Sequence, residues 1–247
     1  MQTSVAMTDI GRRRKVNQDY VYASDQPVGN LPNLYIVADG MGGHKAGELA
    51  SSYGVQKAVE AVCRCEDTRP ALILKKAVRY ANYQLYQKAK ESEDYYGMGT
   101  TLVALCILEE EALAVNIGDS RLYEVTREGI RQISEDHSLV AELARKGELS
   151  PQEARMHPDK NIITRALGIM EEAELDLFTF PVEAGNRYLL CSDGLSNMVE
   201  DQTLCRLIQK DRALYEIGGR LILEANRNGG TDNIAVVLVE IIGQTVR

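Results

Sequence analysis

LYIVADGMGGHKAG, residues 34–47, is the stretch from which the rest of the chain can be organised. The apolar run 35–38 leads directly into Asp39, and a turn rich in glycine (Gly40, Gly42, Gly43) follows. A short apolar run closed by turn residues marks a buried strand, which puts Asp39 at a strand's C-terminal end. The glycines remove side chains and let the backbone approach a ligand or ion closely. Taken alone, an Asp-Gly after a strand is an ordinary turn.

The pattern recurs, and the recurrence changes its meaning. Residues 187–192 (RYLLCS) run into Asp193-Gly194, residues 114–118 (AVNIG) run into Asp119, and Asp232-Asn233 precedes the apolar run 234–239. In an antiparallel sheet, the end of one strand and the start of its neighbour share an edge. Asp39, Asp119, Asp193 and Asp232 are therefore expected at one rim. Clustered carboxylates repel unless they share protons or bind cations, and an all-oxygen cluster suits hard cations such as Mg²⁺ and Mn²⁺.

Outward from this strand, hydrophobic periodicity predicts further strands at 3–7, 20–23, 102–108, 113–117, 122–125, 130–133, 174–180, 188–191 and 234–240. Helices are expected in two pairs. One helix of the first pair presents Val55, Val59 and Val62, and the other, starting near Pro70, presents Leu74, Val78, Ala81 and Leu85. The second pair presents Leu204, Leu207 and Ile208, then Leu214, Ile217 and Leu221, with Asn228-Gly229-Gly230 as its stop. Residues 95–101 read as a turn. From 138 to 168 the strand pattern lapses, leaving short helical pieces at 139–146 and 151–157, as in an insertion lying over a sheet edge. Two antiparallel sheets packed face to face, each with a helix pair outside, would cover every apolar face. The expectation is an α+β sandwich in one domain, 1–242, with a flap at about 138–168 and a short tail, 243–247.

Composition narrows the class. The 247 residues are 45% hydrophobic and 26% charged, as in an ordinary globular protein. A net charge of −8, with Arg12, Arg13, Arg14 and Lys15 as the only basic cluster, argues against a nucleic-acid partner. No apolar run approaches the ~18 residues of a membrane helix, and the first residues lack a signal-peptide pattern. The five cysteines have no CxxC spacing and read as reduced thiols of a cytoplasmic protein.

The segments GRRRKVNQD, VADGMGGHKAGELAS, GTTLVAL, NIGDSRLY, DHSLV, ITRALG, LLCSDGLSNMV and GGTDNIAVVLV occur in this order. Together they resemble the bacterial branch of the metal-dependent (PPM, or type 2C) protein serine/threonine phosphatases. That resemblance implies a β-sandwich flanked by helix pairs. It implies that Asp39 bridges two divalent metals, Mn²⁺ or Mg²⁺, with the Gly40 carbonyl on the second and Asp193 and Asp232 on the first. It further implies that Asp19 orients water, that Arg14 binds the substrate phosphate, and that Asp119 with Asp193 holds a third, weaker metal. Hydrolysis would proceed by direct attack of a hydroxide bridging the two metals, without a covalent phosphoenzyme, on phosphoserine or phosphothreonine proteins. A bacterial Ser/Thr kinase and its substrates would be the partners, and a monomer is expected.

Two departures from the wider family bear on the site. Gln18 stands where animal relatives carry a glutamate ligand, so the second metal is expected to rest mainly on Asp39, Gly40 and water. His44 follows an inserted Met-Gly-Gly, which separates the proposed general acid from Asp39-Gly40. In the flap, His157 and Arg165 are candidates for touching substrate, with solvated surface charge as the plainer reading. The alternative function is a catalytically weak phosphoprotein-binding module of the same fold.

Overall fold

The computed structural model describes residues 1–42 and 46–243. The expected tail is therefore described only at Gly243. In chain order the elements are β1 (Gln2–Asp9), β2 (Asp19–Ser24), β3 (Leu34–Met41), α1 (Ala46–Arg64), α2 (Pro70–Ala89), β4 (Gly99–Thr100), β5 (Leu102–Ile107), β6 (Glu111–Ile117), β7 (Arg121–Val125) and β8 (Ile130–Gln132). Then follow α3 (Leu139–Arg145), α4 (Pro151–Met156), β9 (Asp176–Pro181), β10 (Arg187–Cys191), α5 (Asp193–Ser196), α6 (Asp201–Ile208), α7 (Leu214–Arg227) and β11 (Ile234–Ile241).

One sheet has the order β1-β11-β10-β7-β8 and the other β2-β3-β5-β6-β9, with β4 paired to β3. All the pairings are antiparallel. The central strands are apolar throughout because both of their faces are covered. Tyr35 and Val37 of β3, Val103 and Leu105 of β5, and Ala235, Val237 and Val239 of β11 fill the layer between the sheets. Their alternate neighbours face the helices. Ile36, Ala38 and Ala104 pack under α1 and α2 with Val55, Val62, Leu74, Val78 and Leu85, while Val236 and Leu238 pack under α6 and α7 with Leu204, Ile208, Ile217 and Leu221. The expected helix-sheet-sheet-helix layering is what forms, although Val59 and Leu207 are only partly buried.

Several local readings need correction. Strand β3 continues through Asp39 to Met41, because β4 pairs with it there (Gly40 with Thr100, Met41 with Gly99). The segment expected as a plain turn thus holds β4, and a short 3₁₀ turn, Glu93–Tyr95, precedes it. Strand β9 begins at Asp176, two positions after the expected start at 174. A helical turn, α5, follows β10 directly. Elements this short carry no period from which to read them. The flap is present, with α3 capped by Ser138 and α4 by a reciprocal Ser150–Glu153 capping box.

Candidate metal centre

The two sheets bring the aspartates to one end of the sandwich. Register places Asp19 of β2 directly opposite Asp39 of β3, and antiparallel partners project to the same face. From the other sheet, Asp193 opens α5 just beyond β10, and Asp232 stands just before β11, the neighbour of β10. Asp119 lies in the link between β6 and β7, where the chain crosses from one sheet to the other.

Hydrogen bonds fix this rim. The Asp39 N–H donates to Thr101 Oγ1 at 2.9 Å, and its carbonyl accepts from Thr100 Oγ1 at 2.9 Å and from the Thr101 N–H at 2.9 Å. Ser192 Oγ donates to Asp19 Oδ2 at 2.6 Å, and Asn197 Nδ2 donates to Asp193 Oδ2 at 3.0 Å. Asn233 fastens the basic loop to the start of β11. Its Nδ2 donates to the Ile10 and Val16 carbonyls at 2.9 and 3.0 Å, and its Oδ1 accepts from the Gln18 N–H at 2.9 Å. Arg14 Nη2 donates to Asp232 Oδ2 at 2.6 Å. Thr101, Ser192, Asn197 and Asn233 all lie inside sequence motifs quoted above, yet nothing in spacing alone distinguishes them from turn residues.

A close backbone approach brings the two first-metal candidates together. A Cβ at Gly194 would overlap the Asn233 carbonyl oxygen, so α5 can sit against the 232–233 segment only with glycine there. At Gly40 a Cβ would likewise overlap the Gly47 carbonyl oxygen.

The electrostatics follow from crowding. Burial, reinforced by Asp193 and Asp232, pushes Asp19 up to about 8 against the Ser192 hydrogen bond. Burial and then Asp232 push Asp193 up to about 6. Asp39 is raised well above the ordinary carboxylate value by burial, with Asp19 the strongest neighbouring charge, and Asp119 is raised by burial and then by Asp193. The hydrogen bond to Asp232 raises Arg14, whose guanidinium also feels Asp39 and Asp193.

Arg14, Asp39, Gly40, Asp119, Asp193 and Asp232 line one cavity of about 560 Å³, joined by Arg13, Lys15 and Gln18 from the basic loop and by Asn161 and Ile163 from the flap. A second cavity of about 290 Å³ shares Asp119 and Asp193 and runs under α3 and α4. There Arg155 Nη2 donates to the Ser196 carbonyl at 3.0 Å, tying α4 to α5. Asp19 stands behind Asp39, only 7% exposed. His44 lies outside the described residues. His157 ends α4 and its Nδ1 accepts from the Asp159 N–H at 3.2 Å. Arg165 is not a free solvated charge: its guanidinium pairs with Asp176 and Glu174 at 3.4 and 3.6 Å.

The donor set suits hard divalent cations. It is all oxygen, and Asp19 Oδ1 and Asp193 Oδ1 are buried with no hydrogen-bond partner among the described residues. Buried carboxylate oxygens are costly without one. Among the described residues no three acidic, histidine or cysteine side chains stand at the spacing of a formed metal site. Asp39, Asp119, Asp193 and Asp232 line a common cavity, and Arg14 occupies Asp232.

Comparison with known proteins agrees with this geometry. Residues 11–217 match the protein phosphatase 2C family. The serine/threonine phosphatase stp of Listeria monocytogenes is 40% identical over 243 residues, covering 94% of this chain and 93% of that protein. The structure of serine/threonine phosphatase Stp1 from Staphylococcus aureus superposes with a TM-score of 0.91 at 34% identity, covering 98% of this chain and 96% of that one. The catalytic domain of the serine/threonine phosphatase PstP, solved in complex with two manganese ions, superposes with a TM-score of 0.87 at 36% identity, covering 98% and 99%. The chain is a protein phosphatase and belongs to the protein phosphatase 2C family.

Proposed function

We propose that the chain hydrolyses phosphoserine and phosphothreonine in proteins, using two divalent cations held by Asp39, the Gly40 carbonyl, Asp193 and Asp232, with a weaker third between Asp119 and Asp193. The observation that carries this reading is the single cavity onto which four aspartates and Arg14 open. Cations bound there supply activation of water and neutralisation of phosphate charge.

The chain's own groups do the rest. Arg14 presents a planar fork that can take two phosphate oxygens, and its side chain is 48% exposed, open to a substrate. Asp19, held by Ser192 behind Asp39, is assigned to orient water. His44 is assigned as proton donor to the leaving serine or threonine oxygen. The flap, 138–168, meets the protein part of the substrate, since Asn161 and Ile163 already border the cavity. Residues 1–242 act as one catalytic domain, a cytoplasmic monomer that opposes a Ser/Thr kinase by acting on that kinase and its substrates. The test is turnover of phosphothreonine, phosphoserine and phosphotyrosine peptides with Mn²⁺. Release of phosphate from the first two supports the reading. Binding without release by folded, metal-loaded protein would make the chain a phosphoprotein-binding module instead.

A further inference from the structure

His137 belongs to the DHSLV segment, and the chemistry above leaves it without a task. It is 1% exposed and sits immediately before the flap. Its main-chain N–H donates to the Gly118 carbonyl at 3.0 Å, and its ring Nδ1 accepts from the Gly118 N–H at 3.1 Å. Both bonds end on the residue preceding Asp119. Strand β6 stops at Ile117 and Gly118 turns at a φ of +106°, so its N–H points to the ring and not to a neighbouring strand.

The opposite side of the ring faces the far root of the flap. Nε2 lies 2.9 Å from Asp176 Oδ2 at the head of β9. The His137 carbonyl accepts from the Thr164 N–H at 2.8 Å, and Ser138 bridges to Ile163. Arg165 Nη1 lies 3.4 Å from Asp176 Oδ1 and 3.4 Å from Nε2. One residue thus ties together both roots of the flap and the turn carrying Asp119.

This geometry determines the tautomer. A backbone amide can only donate, so Nδ1 must be the bare nitrogen, and the ring proton resides on Nε2, facing the Asp176 carboxylate. An acceptor on one edge and a donor on the other, at fixed separation, is what the imidazole supplies here.

We propose that His137 is a positioning residue: in its Nε2–H form the bare Nδ1 holds the peptide before Asp119 and so sets the Asp119 carboxylate for the weaker cation. The proposal rests on the reading of Asp119 as a ligand of that cation. Groups that orient a ligand typically change metal affinity by about 10- to 100-fold when lost.

Two substitutions separate the two edges of the ring. In His137→Asn the amide oxygen falls near Nδ1 and can still accept from Gly118, while the reach to Asp176 is lost. In His137→Gln the terminal amide falls near Nε2 and can still meet Asp176, while the acceptor for Gly118 is lost. Calorimetric and electron paramagnetic resonance titration with Mn²⁺ should show weak-site affinity near wild type for His137→Asn and about tenfold weaker for His137→Gln, with the tight ions unchanged in both. Nitrogen-15 spectra of the metal-stripped wild type should place the His137 ring proton on Nε2. A proton on Nδ1, unchanged weak-site affinity in His137→Gln, or equal losses in both variants would overturn the proposal. Should His137→Gln fail to fold, the ring tautomer and His137→Asn decide, and weakened Mn²⁺ binding in the latter overturns it. Asp119→Ala is the control: wild-type ion stoichiometry there would remove Asp119 as a ligand and the proposal with it, whereas loss of the weak ion in Asp119→Ala beside an unaffected His137→Gln would remove the proposal alone.

Discussion

Asp19 and Asp39 are direct cross-strand partners in the β2–β3 ladder, with Asp19 sealed beneath and Asp39 opening to the cavity. Like charges placed opposite each other destabilise a sheet unless a proton or cation stands between them. On the proposed reading, the pair trades stability of the bare fold for an ion site.

That trade predicts opposite effects in one variant. Asp39→Asn should lower kcat by about a thousandfold or more, corresponding to ~4 kcal/mol of barrier, while the metal-stripped protein melts at an equal or higher temperature than wild type. Steady-state kinetics with Mn²⁺ and thermal melts in chelator measure both. A variant that loses activity by unfolding would contradict the role given to Asp39.

Arg14 should behave differently. Its ion pair with Asp232 is largely solvent-exposed, and such pairs contribute only ~0–1 kcal/mol, so Arg14→Ala should fold normally. It should raise KM more than it lowers kcat, because the guanidinium holds phosphate in ground and transition states alike. Arg14→Lys should recover only part of the loss, since an ammonium lacks the two-pronged geometry. Unchanged KM with a fallen kcat would refute phosphate binding as its task.

Gly194 tests the close approach that joins α5 to β11. Gly194→Ala drives a methyl group into the Asn233 carbonyl, and overpacking of this kind costs ~1–3 kcal/mol. The separation of Asp193 from Asp232 should widen, so Mn²⁺ affinity should fall along with the melting temperature. Gly185→Ala, where a Cβ meets no described residue within 4 Å but φ is +89°, controls for backbone strain alone and should leave Mn²⁺ binding intact. Equal Mn²⁺ affinity in the two variants would exclude the steric argument.

The raised carboxylates carry a pH signature in the metal-stripped protein. Asp19 at about 8 and Asp193 at about 6 hold protons in the folded state that the unfolded chain, titrating near 3.8, has already released. The folded state binds more protons across that window, so this contribution to stability is complete below pH 3.8 and is lost as pH rises through about 6 and then about 8. Melting temperature in chelator should fall over that rise, and added Mn²⁺ should remove most of the fall. A melting temperature that climbs with pH in chelator would contradict the crowded-carboxylate account.

Much of this was legible in the residues. Runs such as 35–38 and 234–239 are apolar on both faces, and that signals strands covered on both sides; the Asp-Gly endings then locate the rim. Register was not legible: nothing in the order of residues says that Asp19 is opposite Asp39, because pairing is decided by which faces pack across the sandwich. Ser192, Thr101 and Asn233 were hidden for a related reason, as each acts on a residue distant in sequence. Arg165 looked like surface charge because its partner Asp176 stands 11 residues away and only the fold brings the two together.

The central claim is that the cavity of Asp39, Asp119, Asp193 and Asp232 works as a divalent-cation centre. The most direct measurement is phosphate release from a phosphothreonine peptide by protein stripped with chelator, verified free of metal by elemental analysis, and then titrated with Mn²⁺ or Mg²⁺. The account predicts no turnover in the stripped sample and recovery that saturates as the ions are added back. Full turnover by verified metal-free protein would contradict it.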